Sequence, residues 1–192
     1  GDGWADMSGG WPKRFAEYNS YLTSGTTLDL SGRRTSWTDK EGNTPQIFLA
    51  MPNIAIEFKE SMTYITPVDA DDKNIKRVCD IFDQLGESII IDEDHYPAAT
   101  ALSCSIAYAM RYARASIEGA VELGFKAKMS QKIVLQTMKG AISLLQQTGE
   151  HPEAAIDRVT TPGGLTIRGL NAMEHGGFTS AVINGLKAGM KK

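Results

Sequence analysis

The chain has 192 residues, of which 42% are hydrophobic and 22% charged, and this composition is typical of one or two globular domains. Its formal net charge of −3 gives no basic field that would attract nucleic acid or an anionic membrane. No apolar run approaches the roughly 20 residues of a membrane helix, so we expect a cytoplasmic protein with neither nucleic acid nor membrane as a partner.

The first 46 residues differ in composition from the rest. They hold all three tryptophans, Trp4, Trp11 and Trp37, among Gly, Ser and Thr. This pattern predicts loops with weak local structure, apart from a short helix around residues 12–22. We treat residues 1–46 as an unassigned segment.

A small α/β unit is predicted next, over residues 47–94. Three apolar runs have the composition of strands: Ile47–Met51, Met62–Val68 and Ser88–Asp92. Acidic residues, Asp69, Asp71 and Asp72, predict the start of a helix that Gly86 ends. Strand, strand, helix and strand are the tail of an α/β sheet, too small to stand alone.

Residues 95–192 are predicted to be all helical. Four helices are expected. The first covers residues 99–123 and contains many small residues, and the second is capped by Ser130 and ended by Thr148 and Gly149. The last two cover residues 152–158 and 178–190. Without a partner, the small-residue helix would expose apolar surface on both sides, which predicts dimerisation. The two cysteines, Cys79 and Cys104, fall in apolar patterns and are expected to be reduced core thiols.

The segment Thr160–Thr166 (TTPGGLT) is the candidate for chemistry. Two glycines between two helices predict a tight turn whose N–H groups converge at a helix N-terminus, and such a turn suits a carboxylate or a phosphate. Three threonine hydroxyls add donors. A Pro-Gly-Gly turn is a weak signal alone, and a helix–turn–helix connector with threonine caps is the alternative.

A longer motif surrounds this turn. Residues 159–170 read VTTPGGLTIRGL, followed by Glu174 and then Gly176-Gly177-Phe178. In order and spacing this resembles the signature of the pyrroline-5-carboxylate reductase family, V-[ST]-[ST]-P-G-G-x-T-I-x-[AG]-L. The resemblance covers residues 47–192.

The resemblance implies a fold and an activity. Family members reduce 1-pyrroline-5-carboxylate to L-proline with hydride from NADPH or NADH, the last step of proline synthesis. They join a Rossmann domain to an all-helical domain that interlocks with its twin in a dimer, and larger assemblies are common. Residues 47–94 would then be the C-terminal part of the Rossmann-like domain, and residues 95–192 the dimerisation and substrate-binding domain, so that the chain is mainly α.

The resemblance also implies site residues. Main-chain N–H groups around Thr161, Gly163, Gly164 and Leu165 would hold the substrate carboxylate. The Thr166 hydroxyl would lie near the ring nitrogen as the catalytic residue, and because threonine is a poor acid we expect orientation or relay of a solvent proton. The cofactor-binding residues would be Asn53, Ser103 and Ser105. No metal site is expected.

The chain departs from the family at three places. The family's L-S-G-S-G-P-A-Y is LSCSIAY here (residues 102–108), and M-P-N-T-P is MPNIA (residues 51–55). The dinucleotide fingerprint G-x-G-x-x-G after a first strand is absent. We therefore expect weak dinucleotide binding. A non-catalytic, dimerising carboxylate-binding module and a related dehydrogenase for another small acid are alternative functions.

Overall fold

The computed structural model of the chain describes residues 46–68 and 70–190. The predictions for the tryptophan-containing segment before Gln46, and for Asp69, fall outside these residues. Within the described ranges, no helix is both long and apolar enough to cross a bilayer.

A three-stranded mixed sheet follows Gln46. Strand β1 (Ile47–Met51) runs antiparallel to the central strand β2 (Ser61–Val68), which runs parallel to β3 (Gly86–Ile90). The prediction for β3 was two residues late at each end, because the pairing with β2 begins where Gly86 lies opposite Ser61. The side chains of β2 form the centre of this unit, since Ser61, Thr63, Ile65 and Thr66 are all buried.

Helix α1 (Asp72–Phe82) packs beside the sheet and begins at Asp71. The Asp71 carboxylate accepts from the Asn74 N–H at 2.7 Å and from the Gln46 side-chain amide at 2.6 Å. These bonds satisfy an N–H group of the first turn and tie the helix to the residue before β1. The helix ends at Phe82 and continues as a 3₁₀ turn (Asp83–Leu85), so Gly86 starts the next strand rather than ending α1 directly.

We predict that Asp71→Asn makes stability less dependent on acid. The hydrogen bonds from Gln46, and then from Asn74, hold the pKa of Asp71 below its ordinary value. Stability from this carboxylate is therefore present above its unfolded pKa and is lost as pH falls through the lower folded value. Asparagine still caps the helix but does not titrate. Urea unfolding at pH 7 and pH 3 should show a smaller loss of unfolding free energy for the variant than for the parent chain. An equal loss would contradict the stabilising role of the Asp71 carboxylate.

The rest of the described chain is helical. A 3₁₀ turn (Glu93–His95) leads to six helices, α2 (Tyr96–Ser103), α3 (Ser105–Glu122), α4 (Ala127–Thr148), α5 (Pro152–Arg158), α6 (Leu165–His175) and α7 (Phe178–Ala188). A small sheet followed by helices confirms the predicted fold class. The C-terminal end of α4 and both bounds of α5 agree with the sequence prediction. Gly149 adopts a left-handed conformation after α4, and Pro152 occupies the first turn of α5.

Three local predictions were wrong. The single helix over residues 99–123 is two helices, interrupted at Cys104, and this position leaves Cys104 exposed rather than in the core. Ser130 does not cap α4, which begins three residues earlier with Lys126 as its N-cap. Instead, the fully buried Ser130 hydroxyl donates to the Lys126 carbonyl at 3.2 Å, one turn back.

Helices α2, α3, α4 and α7 form the helical framework. Tyr108 of α3 donates its hydroxyl to the Gly185 carbonyl of α7 at 3.2 Å, and the rings of Tyr112 and Phe178 lie 6.0 Å apart. Much apolar surface is nevertheless exposed on α3 and α4, including Met110, Val121, Met129 and Ile142. A single chain therefore does not cover the apolar faces of its own helices.

Candidate functional site

The turn between α5 and α6 has the conformation required to present backbone amides. The Gly164 N–H donates to the Thr161 carbonyl at 2.9 Å, which closes a four-residue turn with Pro162 and Gly163 at its centre. Gly163 has φ of 69°. Proline followed by a residue with positive φ is the signature of a type II turn, and only glycine adopts this conformation without strain.

Gly164 joins this turn to α6. It is the extended N-cap residue of α6, and no side chain caps the helix. A Cβ atom at Gly164 would overlap the Thr161 hydroxyl and lie 3.0 Å from the Thr161 carbonyl oxygen, so a larger residue here would push on the turn. Within the described residues, the amides of Gly163 and Leu165 have no hydrogen-bond partner, and the dipole of α6 adds partial positive charge beside them.

Thr166 differs from the threonines that lie beyond the first turn of a helix. The hydroxyls of Thr100, Thr137 and Thr148 each donate to the carbonyl four residues back. Within the described part of the chain, the Thr166 hydroxyl makes no hydrogen bond, because the residue four positions earlier, Pro162, lies outside the helix. Thr166 is also exposed, so its hydroxyl is available to a ligand at this turn.

An ion pair adjoins the turn. Glu150 lies in the link between α4 and α5, and its Oε2 is 2.9 Å from Nη2 of Arg158, the last residue of α5. Oε2 is buried, yet no N–H of the guanidinium is aligned with it as a hydrogen-bond donor. The contact is therefore a close coulombic pair rather than a directed hydrogen bond.

Two polar groups of Asn53 form hydrogen bonds within the loop after β1. Its Oδ1 accepts from the Ala55 N–H at 2.9 Å and so caps the 3₁₀ helix Ile54–Phe58, while its backbone N–H donates to the Ser61 hydroxyl at 3.1 Å. The Asn53 side-chain NH2 remains as a donor. This arrangement holds the loop after β1 firmly, with one polar group of Asn53 left for a ligand.

The two predicted serines lie on either side of the break between α2 and α3. Ser103 is the last residue of α2 and Ser105 the first of α3. The Thr100 hydroxyl oxygen, three residues before Ser103, lies 3.5 Å from the Met51 sulfur. Residues three apart share a helix face, so Ser103 lies on the side of α2 that approaches the end of β1. Asn53 follows Met51 by two residues, in the loop after β1.

Residues 93–192, just over half of the chain, match the family model described as pyrroline-5-carboxylate reductase dimerisation. The chain belongs to the pyrroline-5-carboxylate reductase family. This confirms the resemblance inferred from the motif at residues 159–178.

Individual relatives agree with this assignment. The chain is 44% identical over 153 residues to pyrroline-5-carboxylate reductase 1 of Dictyostelium discoideum, covering 73% of this chain and 28% of the relative. It is 41% identical over 179 residues to reductase 2 of the same organism, covering 86% and 59%. The chain therefore spans between about a quarter and three fifths of the length of these curated relatives.

A solved structure shares the fold. The crystal structure of Plasmodium falciparum pyrroline carboxylate reductase with NADP bound superposes with a TM-score of 0.71 at 28% identity, covering 78% of this chain and 61% of that one. The bound NADP belongs to that protein.

The predicted site residues therefore form two groups. Thr161, Gly163, Gly164, Leu165 and Thr166 come together at one turn. The three residues predicted to bind the cofactor form the second group: Asn53 lies in the loop after β1, and Ser103 and Ser105 lie on either side of the break between α2 and α3. No hydrogen bond joins the two groups within residues 46–68 and 70–190. Their roles stay predictions. Arg158 was not predicted from the sequence, although its charge is opposite to that of Glu150, eight residues earlier across a short helix.

In the described residues, no three His, Cys, Asp or Glu side chains are grouped so that they could hold a metal ion.

Proposed function

We propose that this chain is the dimerising, substrate-binding half of a reductase that converts 1-pyrroline-5-carboxylate to L-proline. The observation that carries the proposal is the turn Thr161–Gly164, which presents unpartnered amides at the start of α6 inside the region that matches the family model. Because the chain covers only part of the length of its relatives, the complete reductase activity is a proposal for this chain.

The turn suits the substrate carboxylate. The amides of Gly163 and Leu165 are available as donors, whereas the Gly164 amide already donates within the turn. We therefore assign the carboxylate to the first two and to the positive end of α6. Gly164 and Thr161 then serve mainly by fixing the turn, since their mutual hydrogen bond sets its shape.

The Thr166 hydroxyl is proposed to orient the ring. It lies one residue beyond the Leu165 amide and is not consumed by a helical carbonyl, in contrast to Thr137. A hydroxyl near the ring nitrogen can accept a hydrogen bond from the protonated imine and can pass a solvent proton along. Because its own pKa is far too high for direct acid catalysis, its contribution is orientation.

The fit to a dinucleotide is partial. The Asn53 side-chain NH2 and the hydroxyls of Ser103 and Ser105 are suitable contacts for a nicotinamide amide. The described residues contain no glycine-rich turn between a first strand and a helix that would hold the pyrophosphate. When bound, NADPH or NADH would supply the hydride.

A homodimer or higher homo-oligomer is part of the proposal, as is a cytoplasmic location. The matched family model is one of dimerisation, and α3 and α4 leave large apolar side chains uncovered in the single chain. Sedimentation at micromolar concentration should show a dimer or larger species. We also propose the division between the nucleotide-binding part, residues 47–94, and the helical part, residues 95–192.

We predict that Thr166→Ala lowers turnover about tenfold, the size of one lost hydrogen bond. The assay follows NADPH and NADH oxidation with 1-pyrroline-5-carboxylate. Thr137→Ala is the matched control, because that hydroxyl bonds only its own helix. Equal rates for Thr166→Ala and the parent chain would remove Thr166 from the mechanism. No turnover, with carboxylate binding retained, would instead favour the non-catalytic binding module.

A further inference from the structure

We infer that Arg158 favours the binding of an anion at the carboxylate-binding turn by neutralising the charge of Glu150. The inference rests on the proposed function, because it concerns the ligand of the same turn. Arg158 neutralises a partly enclosed carboxylate that would otherwise repel an anionic substrate. The observation behind it is the 2.9 Å contact between Arg158 Nη2 and Glu150 Oε2.

The pair spans an entire helix. Glu150 precedes α5 and Arg158 ends it, so the contact runs along a helix of about 10 Å at 1.5 Å per residue. The two other Lys or Arg ion pairs in the described residues, Lys76–Asp80 and Arg114–Glu118, join neighbouring turns of a single helix. Only the Glu150–Arg158 pair connects the link before one helix with the residue that leads into the turn.

The turn lies within the electrostatic reach of this pair. Arg158 is followed after one residue by Thr160, whose hydroxyl donates to the Ile156 carbonyl at 2.7 Å and fixes the exit from α5. Thr161, which starts the turn, is three residues after Arg158, so the two backbones are at most about 11 Å apart, comparable with a Debye length of roughly 8–10 Å. At that range a buried or half-buried charge still changes the affinity of an anion.

Burial makes the Glu150 charge matter more than a surface charge. Its side chain is 27% exposed, against 57% for Asp80 and for Glu118 in the other two pairs. The poorly hydrated carboxylate is screened less by water, and its Oε2 has no hydrogen-bond donor to offset its charge. Arg158 is then the group that cancels it.

A charge effect of the ion pair and a purely structural role predict different outcomes. Arg158→Gln and Glu150→Gln break the same ion pair. If the pair acts only by holding α5 in place, both variants weaken ligand binding. If it acts by charge, Arg158→Gln weakens the binding of an anion and Glu150→Gln strengthens it, because the second variant leaves Arg158 uncompensated.

The experiment uses cyclopentanecarboxylate as the anion, since it has a ring and a carboxylate but no amine that would bind Glu150. Its uncharged amide, cyclopentanecarboxamide, is the control ligand. Binding to the full chain is followed by the chemical shifts of the Gly163 and Leu165 amides. We expect Arg158→Gln to raise the dissociation constant about threefold to fivefold at low salt, Glu150→Gln to lower it, and the difference to shrink at high salt.

Three further variants complete the test. Arg158→Lys and the double variant Glu150→Gln/Arg158→Gln should return the affinity close to that of the parent, and Arg114→Gln should leave it unchanged. Changes of opposite sign in the dissociation constants of the two single variants support the inference. Changes of the same sign, or no change, overturn it. Failure of the parent chain to bind the anion at all is a separate result, which overturns the proposed function together with the inference.

Discussion

Gly86→Ala should destabilise the sheet by about 3 kcal/mol or more. Gly86 has φ of 140°, a conformation that side chains with a Cβ rarely adopt, and it lies directly opposite Ser61 at the start of the parallel ladder. A Cβ atom would overlap the backbone of Ser61, which cannot move aside as a flexible side chain could. Strain and overlap each cost about 1–3 kcal/mol, and here they add.

The measurement is urea unfolding combined with hydrogen exchange. Exchange in residues 61–68 and 86–90 should accelerate more than exchange in α4. Gly169→Ala is the matched control, because a Cβ there meets nothing within 4 Å and lies in the middle of α6. That variant should gain about 0.5–1 kcal/mol. A Gly86→Ala chain as stable as the parent would mean that the register between Ser61 and Gly86 is wrong.

The sequence predicted elements well where one residue has a strong local preference. Pro152 and Gly149 fix the short link between α4 and α5, and both follow from backbone chemistry alone. The break at Cys104 has no such signal, since no glycine or proline stands there. The interruption is slight, because Cys104 keeps helical dihedral angles and its N–H still donates to the Thr100 carbonyl at 3.2 Å.

The error at Ser130 has a physical origin. Serine is common at N-caps, but its hydroxyl can equally bond the carbonyl four residues back within a helix. Burial in the interior selects the second arrangement, and burial depends on packing that a local pattern does not contain. The start of β3 was misjudged likewise, because a pairing partner 25 residues earlier sets it.

The site could be predicted in its backbone but not in its charges. The sequence predicts a turn at Pro162, Gly163 and Gly164. A turn directly before a helix leaves backbone amides without intrahelical partners. Which amide is consumed inside the turn became clear only from the bond between Gly164 and Thr161. The Glu150–Arg158 contact likewise depends on how α5 is oriented, and the sequence gives the residues without that orientation.

Gly164→Ala should weaken carboxylate binding and turnover by on the order of 100-fold to 1000-fold. The new Cβ would overlap the Thr161 hydroxyl, which must rotate away, and would press on the Thr161 carbonyl oxygen at 3.0 Å, which distorts the 2.9 Å hydrogen bond that closes the turn. The amides of Gly163 and Leu165 then no longer point at one carboxylate. Losing a preorganised donor costs about 100-fold to 1000-fold, and a displacement of about 1 Å costs about 100-fold.

The same substitution five residues later isolates this effect from helix propensity. Gly169→Ala adds an identical methyl group to α6 in open space, so it should bind the carboxylate as the parent does. Both variants should keep their helical circular dichroism, because the turn lies outside the helix interior. Titration of cyclopentanecarboxylate and the NADPH oxidation rate are the two measurements. Affinity in Gly164→Ala within threefold of the parent would show that the turn is only a connector between α5 and α6.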